Sequence, residues 1–237
     1  MLVSFEGESL DLHCLLMGSG VQTTAILLKY WKNYDFVIFA DTGGENPETY
    51  HFIENYLKPF CDSKNLEWVT VKREDTLEQY CLENKQIPSR MFKWCTDKFK
   101  QTPVKKELKR RGATRKNPII CDVGFSLDES HRLGNKQPPK YMIHNYPLLD
   151  DKLTRRDCHK IIKDAGFPEP PKSACFFCFN AKKKEVINLK SKHPDLFERM
   201  VKMEKNANRK FFNVPLTHYN EIQTLDDFSC DSGSCFV

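Results

Sequence analysis

Short apolar runs alternate with amphipathic segments along the first half of the chain. Four runs have the length and flanks of buried strands, at residues 12–17, 36–40, 67–71 and 118–125. Segments with helical character lie between them, at residues 23–31, 48–60, 76–84 and 97–112. Strands that alternate with helices predict an α/β fold, a Rossmann-like, doubly wound and mostly parallel sheet.

The pattern changes after about residue 135, where a polar stretch carries two adjacent prolines. A further strand within 141–149, a capped helix at 154–165 and a long helical region at 182–206 follow. We therefore predict an α/β core over residues 1–135. Residues 136–237 are predicted to form a small, Cys-rich helical subdomain that ends in a flexible tail.

The first strand ends in a turn of small residues, Gly18-Ser19-Gly20, and a helix follows at once. This arrangement aims backbone N–H groups and the positive end of a helix dipole at an anion. Gly18 and Gly20 permit a positive φ, and Ser19, Thr23 and Thr24 add hydroxyl donors. The spacing matches neither a Walker loop nor the three-glycine dinucleotide fingerprint. The turn taken alone is more typical of an ordinary loop than of a phosphate-binding site.

Polar residues also follow the second and fourth strands. Asp41-Thr42-Gly43 comes after the second strand, and Asp128, Glu129 and Arg132 come after the fourth. Open α/β sheets bind ligands at this carboxyl edge. Arg132 is suited to a phosphate or sulfate, and a carboxylate to Mg²⁺. The alternatives are that Asp41 and Thr42 cap the next helix and that Glu129 and Arg132 form a surface ion pair.

Ten cysteines are present, and one pair has metal-ligand spacing. Cys175-Phe-Phe-Cys178 can place two thiolates on one metal, although redox pairs share this spacing. Cys95 and Cys158 bring the number of candidate ligands to four. The remaining cysteines of the predicted strands and helices are interpreted as small buried apolar residues: Cys14, Cys61, Cys81 and Cys121.

These motifs together resemble the PP-loop ATP pyrophosphatases, the adenine nucleotide alpha hydrolase-like proteins, and most closely their phosphoadenosine phosphosulfate (PAPS) reductase-like branch. The matching stretches are Gly18–Thr23, Phe39–Glu45, Arg90–Lys100, Gly124–Arg132, and Cys158 with Cys175–Cys178. The loop departs from the family pattern, since Gly18 replaces a serine, Ser19 a glycine and Thr23 the final serine.

The resemblance implies an adenine nucleotide, ATP or PAPS/APS, held by the residues of these loops. They are Gly18, Ser19, Gly20, Gln22, Thr23, Thr24, Asp41, Thr42, Gly43, Asp128, Glu129 and Arg132. It also implies a [4Fe–4S] cluster, with Zn²⁺ as the alternative, at Cys95, Cys158, Cys175 and Cys178. Asp41 and Arg132 are the expected catalytic residues of the core.

Three functions remain open. The first is an ATP pyrophosphatase-type enzyme that adenylylates an acceptor, such as a tRNA or DNA base, with sulfur transfer beside the cluster. The second is a PAPS or APS reductase, in which a cysteine thiolate attacks the sulfate sulfur. The third is a non-catalytic nucleotide- or nucleic-acid-binding module with structural zinc. In the first two, Cys235, with Cys230 as its partner, is predicted to take part in sulfur or redox transfer.

Composition and charge agree with a globular protein that binds a phosphorylated ligand. The net charge is +5, and basic residues cluster at 105–116 and 182–184. Such clusters are either solvated helix faces or nucleic-acid contacts, and Arg90 and Lys93 are further candidates for anion contact. No apolar run could span a bilayer, and the first residues do not resemble a signal peptide, so we expect a cytoplasmic protein. The expected partners are the nucleotide, a nucleic-acid acceptor, a sulfur or electron donor, and a second copy of the chain in a homodimer.

Overall fold

A computed structural model describes residues 12–133, 137–212 and 215–220, except for the side chains of Arg132 and Asn220. A five-stranded parallel sheet has the strand order β3-β2-β1-β4-β5. Its strands are β1 (His13–Met17), β2 (Phe36–Ala40), β3 (Glu67–Val71), β4 (Ile119–Asp122) and β5 (Met142–Asn145). The predicted Rossmann-like α/β fold is confirmed.

Helices connect and extend these strands. The α-helices are α1 (Val21–Tyr30), α2 (Pro47–Phe52), α3 (Lys58–Ser63), α4 (Leu77–Glu83), α5 (Thr102–Arg110), α6 (Pro147–Asp150), α7 (Arg155–Asp164), α8 (Lys183–Lys192) and α9 (Pro194–Ala207). Short 3₁₀ helices lie at Trp31–Asn33, Leu127–Arg132 and Leu216–Asn220. Of the helices in the described ranges, none is both long and apolar enough to cross a membrane.

Two π-helical segments each lie just before a proline. Ile53–Leu57 joins α2 to α3, whose first turn contains Pro59, and Thr96–Gln101 leads into α5, whose first turn contains Pro103. Proline has no N–H, and its ring clashes with the carbonyl one turn earlier, so the backbone opens before it. The helix predicted at 48–60 is therefore one helical stretch with a widened middle turn.

The sheet separates two apolar layers because successive side chains of a strand point to opposite faces. Leu15, Val37 and Phe39 pack on one face with residues of α1 and α7. Cys14, Phe36 and Ile38 pack on the other face with residues of α5. Cys14 and Cys121 are fully buried, with their Sγ atoms 3.5 Å apart, and their mutual contact raises the pKa of the Cys14 thiol.

The basic helix α5 uses its last arginines within the fold. Arg111 lies 4.0 Å above the ring of Phe36 and forms a bidentate ion pair with Glu67, at 2.6 and 2.8 Å. Arg110 donates twice to Glu107, at 2.6 and 2.7 Å. Arg111 therefore stabilises the docking of α5 on the sheet, whereas the Arg110 pair lies within the helix. Both cations are paired with carboxylates.

The chain divides into two compact units. The first holds the described residues up to Glu74 together with Thr96–Ser173, so β5, α6 and α7 complete the sheet unit. The second holds Asp75–Cys95 and the described residues from Ala174 onward. Within the second unit, Pro194 ends one helix and starts another, so the region predicted as one long helix forms α8 and α9.

Candidate functional site

The turn after β1 is built around a serine in a left-handed conformation. Ser19 has a φ of 59° and is fully buried. The two flanking glycines lie outside that region, and Gly20 has an extended φ of −100°. The expectation that the glycines supply the positive φ was therefore wrong, because the turn places this demand on Ser19. A left-handed conformation costs a non-glycine residue about 1–2 kcal/mol.

Two buried hydroxyls beside this turn lack hydrogen-bond partners. Neither Ser19 Oγ nor Thr24 Oγ1 contacts a donor or acceptor in the part of the chain that the structure describes. Thr23 is already engaged, since its Oγ1 accepts from the Gly18 N–H and donates to the Gly20 carbonyl, both at 3.3 Å. Because no side chain caps the N-terminus of α1, its N–H groups and these hydroxyls are available to an anion.

The turn follows the strand from which the chain adds strands first on one side of the sheet and then on the other. β1 pairs with β2 on one side and with β4 on the other, so its carboxyl end faces a topological switch point. Gly124, just after β4, closes this point against α1. A Cβ on Gly124 would lie 2.7 Å from Thr23 Cγ2 and 3.3 Å from the Thr23 nitrogen. The sequence offered Gly124 only as part of a motif, and its steric role follows from the packing.

A polar network surrounds Gln22 in the first turn of α1. Its amide nitrogen donates to Glu129 Oε2 at 2.8 Å and reaches Ser126 Oγ at 3.5 Å. Its carbonyl oxygen accepts from Arg155 Nη1 at 3.2 Å, and the Arg155 N–H donates to Asp128 at 2.8 Å. The Arg155 N–H also lowers the pKa of the Asp128 carboxyl. Three residues of the predicted nucleotide set thus meet, and Arg155 is a cation that the sequence analysis missed.

Asp41 lies directly after β2. Two hydrogen-bond donors to the same carboxylate oxygen fix its orientation. Its Oδ1 accepts from the Gly43 N–H at 2.8 Å and from the Tyr50 hydroxyl at 2.7 Å. Burial and this hydrogen bond raise the pKa of Tyr50, which keeps the phenol protonated. Thr42 donates to the buried Glu45 at 3.1 Å. Neither Asp41 nor Thr42 caps α2, which begins after Asn46.

The comparison with known families bears on this part of the fold. Residues 13–116 match the model of the phosphoadenosine phosphosulfate reductase domain, and they include the turn after β1 and the Asp41 segment. This stretch, less than half of the chain, is similar to that domain.

A longer but weaker similarity extends beyond the matched PAPS reductase domain. The chain is 26% identical over 176 residues, 70% of its length, to an uncharacterized protein of Methanocaldococcus jannaschii. The aligned part spans only 40% of that protein. This similarity therefore indicates a distant relative and assigns no activity.

The four predicted metal-ligating cysteines lie in different surroundings. Cys158 is a fully buried member of the apolar core between α1 and α7, and burial raises the pKa of its thiol to about 11. Cys95, Cys175 and Cys178 belong to the second unit and are half-buried. The Cys178 N–H donates to the Cys175 carbonyl at 3.0 Å, which closes the turn between them.

The predicted four-thiolate centre is not formed within the part of the chain that the structure describes. Among the described residues, no group of three or more His, Cys, Asp or Glu side chains is arranged to hold a metal ion. The iron–sulfur cluster and its zinc alternative remain predictions from the resemblance, and magnesium remains a predicted companion of the nucleotide. Cys230, Cys235 and the side chain of Arg132 lie outside the described residues.

Asp122 is a buried carboxylate near the site that the sequence analysis missed. Asp122, the last residue of β4, accepts hydrogen bonds from His13 Nε2 at 2.7 Å, Tyr34 at 2.5 Å and Asn145 at 2.7 Å. Burial alone would raise the pKa of Asp122, but the three donors lower it. The network ties β1 and β5 to the end of β4, immediately before Gly124.

Proposed function

We propose that this chain is an adenine-nucleotide-dependent enzyme of the ATP pyrophosphatase type. One observation carries the proposal: the turn after β1 presents the uncapped N-terminus of α1 and two buried, unpartnered hydroxyls, Ser19 Oγ and Thr24 Oγ1. Buried hydroxyls without partners are costly, and phosphate oxygens bound to them would offset that cost. Similarity of the matched segment to the PAPS reductase domain supports a nucleotide as the source of these oxygens.

The proposed reaction transfers the adenylyl group of ATP to an acceptor. An acceptor oxygen attacks the α-phosphorus, a new P–O bond forms, and the bond to the bridging oxygen breaks so that pyrophosphate leaves. Negative charge builds up on the leaving oxygens, where N–H groups of the turn and Ser19 Oγ can donate to them. Arg155, held beside Gln22, supplies the nearby positive charge.

Asp41 has a separate role as an acceptor group. Both hydrogen bonds to its carboxylate go to Oδ1, and its Oδ2 has no hydrogen-bond partner among the described residues. An oriented carboxylate with one available oxygen can accept from a ligand hydroxyl or contact a magnesium ion that accompanies ATP. We therefore assign Asp41 to nucleotide positioning.

Sulfur transfer would be a later step on the activated acceptor. A sulfide donor attacks the acceptor carbon, a C–S bond forms, the C–O bond breaks and AMP leaves. A bound cluster would supply sulfur or electron chemistry to the thiolates of the second unit.

The alternative within the same family is a sulfonucleotide reductase. There a thiolate attacks the sulfate sulfur of PAPS or APS, the S–O bond to the nucleotide breaks, and sulfite is released after reduction by an external thiol. The family match supports this alternative as well, because the matched domain carries the reductase's own description.

Product analysis distinguishes the two reactions. Purified protein is incubated with ATP and candidate acceptors, or with PAPS and a dithiol, and pyrophosphate and sulfite are measured. We expect acceptor-dependent pyrophosphate from ATP, and Ser19→Ala should reduce it at least about tenfold. Ser191→Ala, an exposed serine of the second unit, is the matched control and should have no effect. Sulfite from PAPS would favour the reductase, and failure to bind either nucleotide in calorimetry would contradict both.

A further inference from the structure

The loop that follows α4 ends in an apolar tip that the fold leaves exposed. Met91 is 86% exposed and Phe92 is 64% exposed, whereas the next most exposed large apolar residue of the described chain, Ile143, is 47% exposed. Burying such side chains is worth about 1.5–3 kcal/mol each, so two adjacent exposed ones point to a partner.

The tip is held in place from both sides within the second unit. The Ser89 N–H donates to the Phe92 carbonyl at 3.4 Å, and the Phe92 N–H donates to Ser89 Oγ at 3.3 Å, which closes a tight turn. Before the turn, Ile87 is buried, and after it the ring of Trp94 packs 5.1 Å from the ring of Tyr80. Phe92 is therefore presented on a fixed base.

The segment that carries the tip has charged residues of one sign only. Residues 85–96 contain Lys85, Arg90 and Lys93 and no Asp or Glu. Arg90 and Lys93 flank the apolar pair, and Lys93 forms no ion pair with any residue that the structure describes. An aromatic ring between exposed cations is the combination by which proteins hold single-stranded nucleic acid, since bases stack on the ring and phosphates pair with the cations.

We propose that the turn Ser89–Lys93 binds single-stranded RNA or DNA, with Phe92 stacked on an unpaired base and Lys93 beside a phosphate. A protein surface could cover the apolar pair, but the absence of any carboxylate over residues 85–96 favours a polyanion. The inference deepens the proposed function, because it names single-stranded nucleic acid as the class of acceptor presented to the enzyme. Its binding test does not depend on the nucleotide reaction.

The test measures fluorescence anisotropy of labelled oligonucleotides of about 12 nucleotides, single-stranded and duplex, without ATP. We expect wild type to prefer the single strand. Phe92→Ala and Phe92→Leu should weaken binding about 5- to 100-fold, whereas Phe92→Trp should retain it, because stacking requires an aromatic ring. Lys93→Ala should weaken binding and reduce the slope of log affinity against log salt by about 0.7.

Two controls separate this proposal from simpler explanations. Ile143→Ala removes an exposed apolar residue elsewhere, and Lys160→Ala removes an exposed cation of α7, so neither should change the affinity. Thermal melting should be unchanged in the Phe92 variants because the ring is exposed. Equal binding by Phe92→Leu and wild type would overturn the proposal, as would a Phe92-dependent dimer in sedimentation without oligonucleotide binding. Loss of pyrophosphate release with intact oligonucleotide binding would contradict only the proposed function.

Discussion

The guanidinium of Arg155 donates to the side-chain carbonyl of Gln22 at 3.2 Å, across 133 residues of sequence. This contact places an exposed cation of α7 beside Gln22 in the first turn of α1. Its acceptor is a neutral amide, so the contact leaves the charge of Arg155 available to an anion bound at the turn.

Arg155→Gln should therefore weaken the binding of ATP and pyrophosphate about 10- to 100-fold, because a hydrogen bond to a charged group is worth about 1.5–3 kcal/mol. Adenosine, which has no phosphate, should bind both proteins equally. Isothermal titration provides the measurement. Arg156→Gln changes the neighbouring exposed arginine of α7 and serves as the charge-matched control. Equal ATP affinity in the two variants would remove Arg155 from the site.

Because Ser19 has a left-handed conformation, its substitutions should affect the free energy of unfolding and the affinity for ATP differently. Ser19→Gly should keep or raise the free energy of unfolding by up to about 1 kcal/mol, because glycine adopts φ 59° without strain. The same change removes Oγ, so ATP affinity should fall. Ser19→Ala should lose affinity similarly but keep the strain. Urea unfolding and titration calorimetry on both variants provide the comparison, and unchanged affinity in both would show that Oγ does not contact the ligand.

Gly20 and Gly124 flank the same turn but differ in the space around them. Gly124→Ala should destabilise the protein by about 1–3 kcal/mol, because its Cβ would lie 2.7 Å from Thr23 Cγ2 and close to the Thr23 backbone. Gly20→Ala should fold normally, since its Cβ would lie 3.7 Å from that of Ser173. Thermal melting tests both. A fully stable Gly124→Ala protein would contradict the close packing of β4 against α1.

Asp122 should make the stability of the first unit depend on pH. Its folded-state pKa is lowered, so the ionised carboxylate stabilises the fold above the ordinary pKa of about 3.9, and this stabilisation is lost as pH falls through the lowered value. Asp122→Asn should cost about 3 kcal/mol at pH 7, because it removes the charged acceptor of three buried donors. Urea unfolding should show a smaller difference from wild type near pH 3 than at pH 7, and a difference that does not change with pH would contradict this account.

Cys158 should behave as a core residue and not as a metal ligand. Cys158→Ser should lower the melting temperature, because it places a hydroxyl in the apolar layer between α1 and α7. Iron, sulfide and zinc content after anaerobic purification should match wild type. Cys14→Ser, in the opposite apolar layer, is the matched control and should also lose only stability. Loss of bound metal in Cys158→Ser alone would restore Cys158 to the predicted ligand set.

The amino-acid sequence by itself determined the order of strands and helices along the chain. It also determined which residues follow the carboxyl ends of the strands. Apolar runs of strand length and the breaks at Gly18 and Asp41 are local signals, so the nucleotide turn and the Asp41 segment could be placed without coordinates. Local patterns also reveal proline positions, but not that the backbone widens into π-helical turns before Pro59 and Pro103.

Only the tertiary structure decided which distant residues meet. Arg155 reaches Gln22, and Asp122 collects donors from three other parts of the chain, because parallel strands bring together residues that lie far apart in sequence. The same packing places Cys158 in the apolar core of the first unit, whereas the resemblance had implied a metal site shared with Cys175. Exposure is likewise a tertiary property: Phe92 and the buried Phe99 are both phenylalanines of one basic segment, and only the fold leaves Phe92 open to a partner.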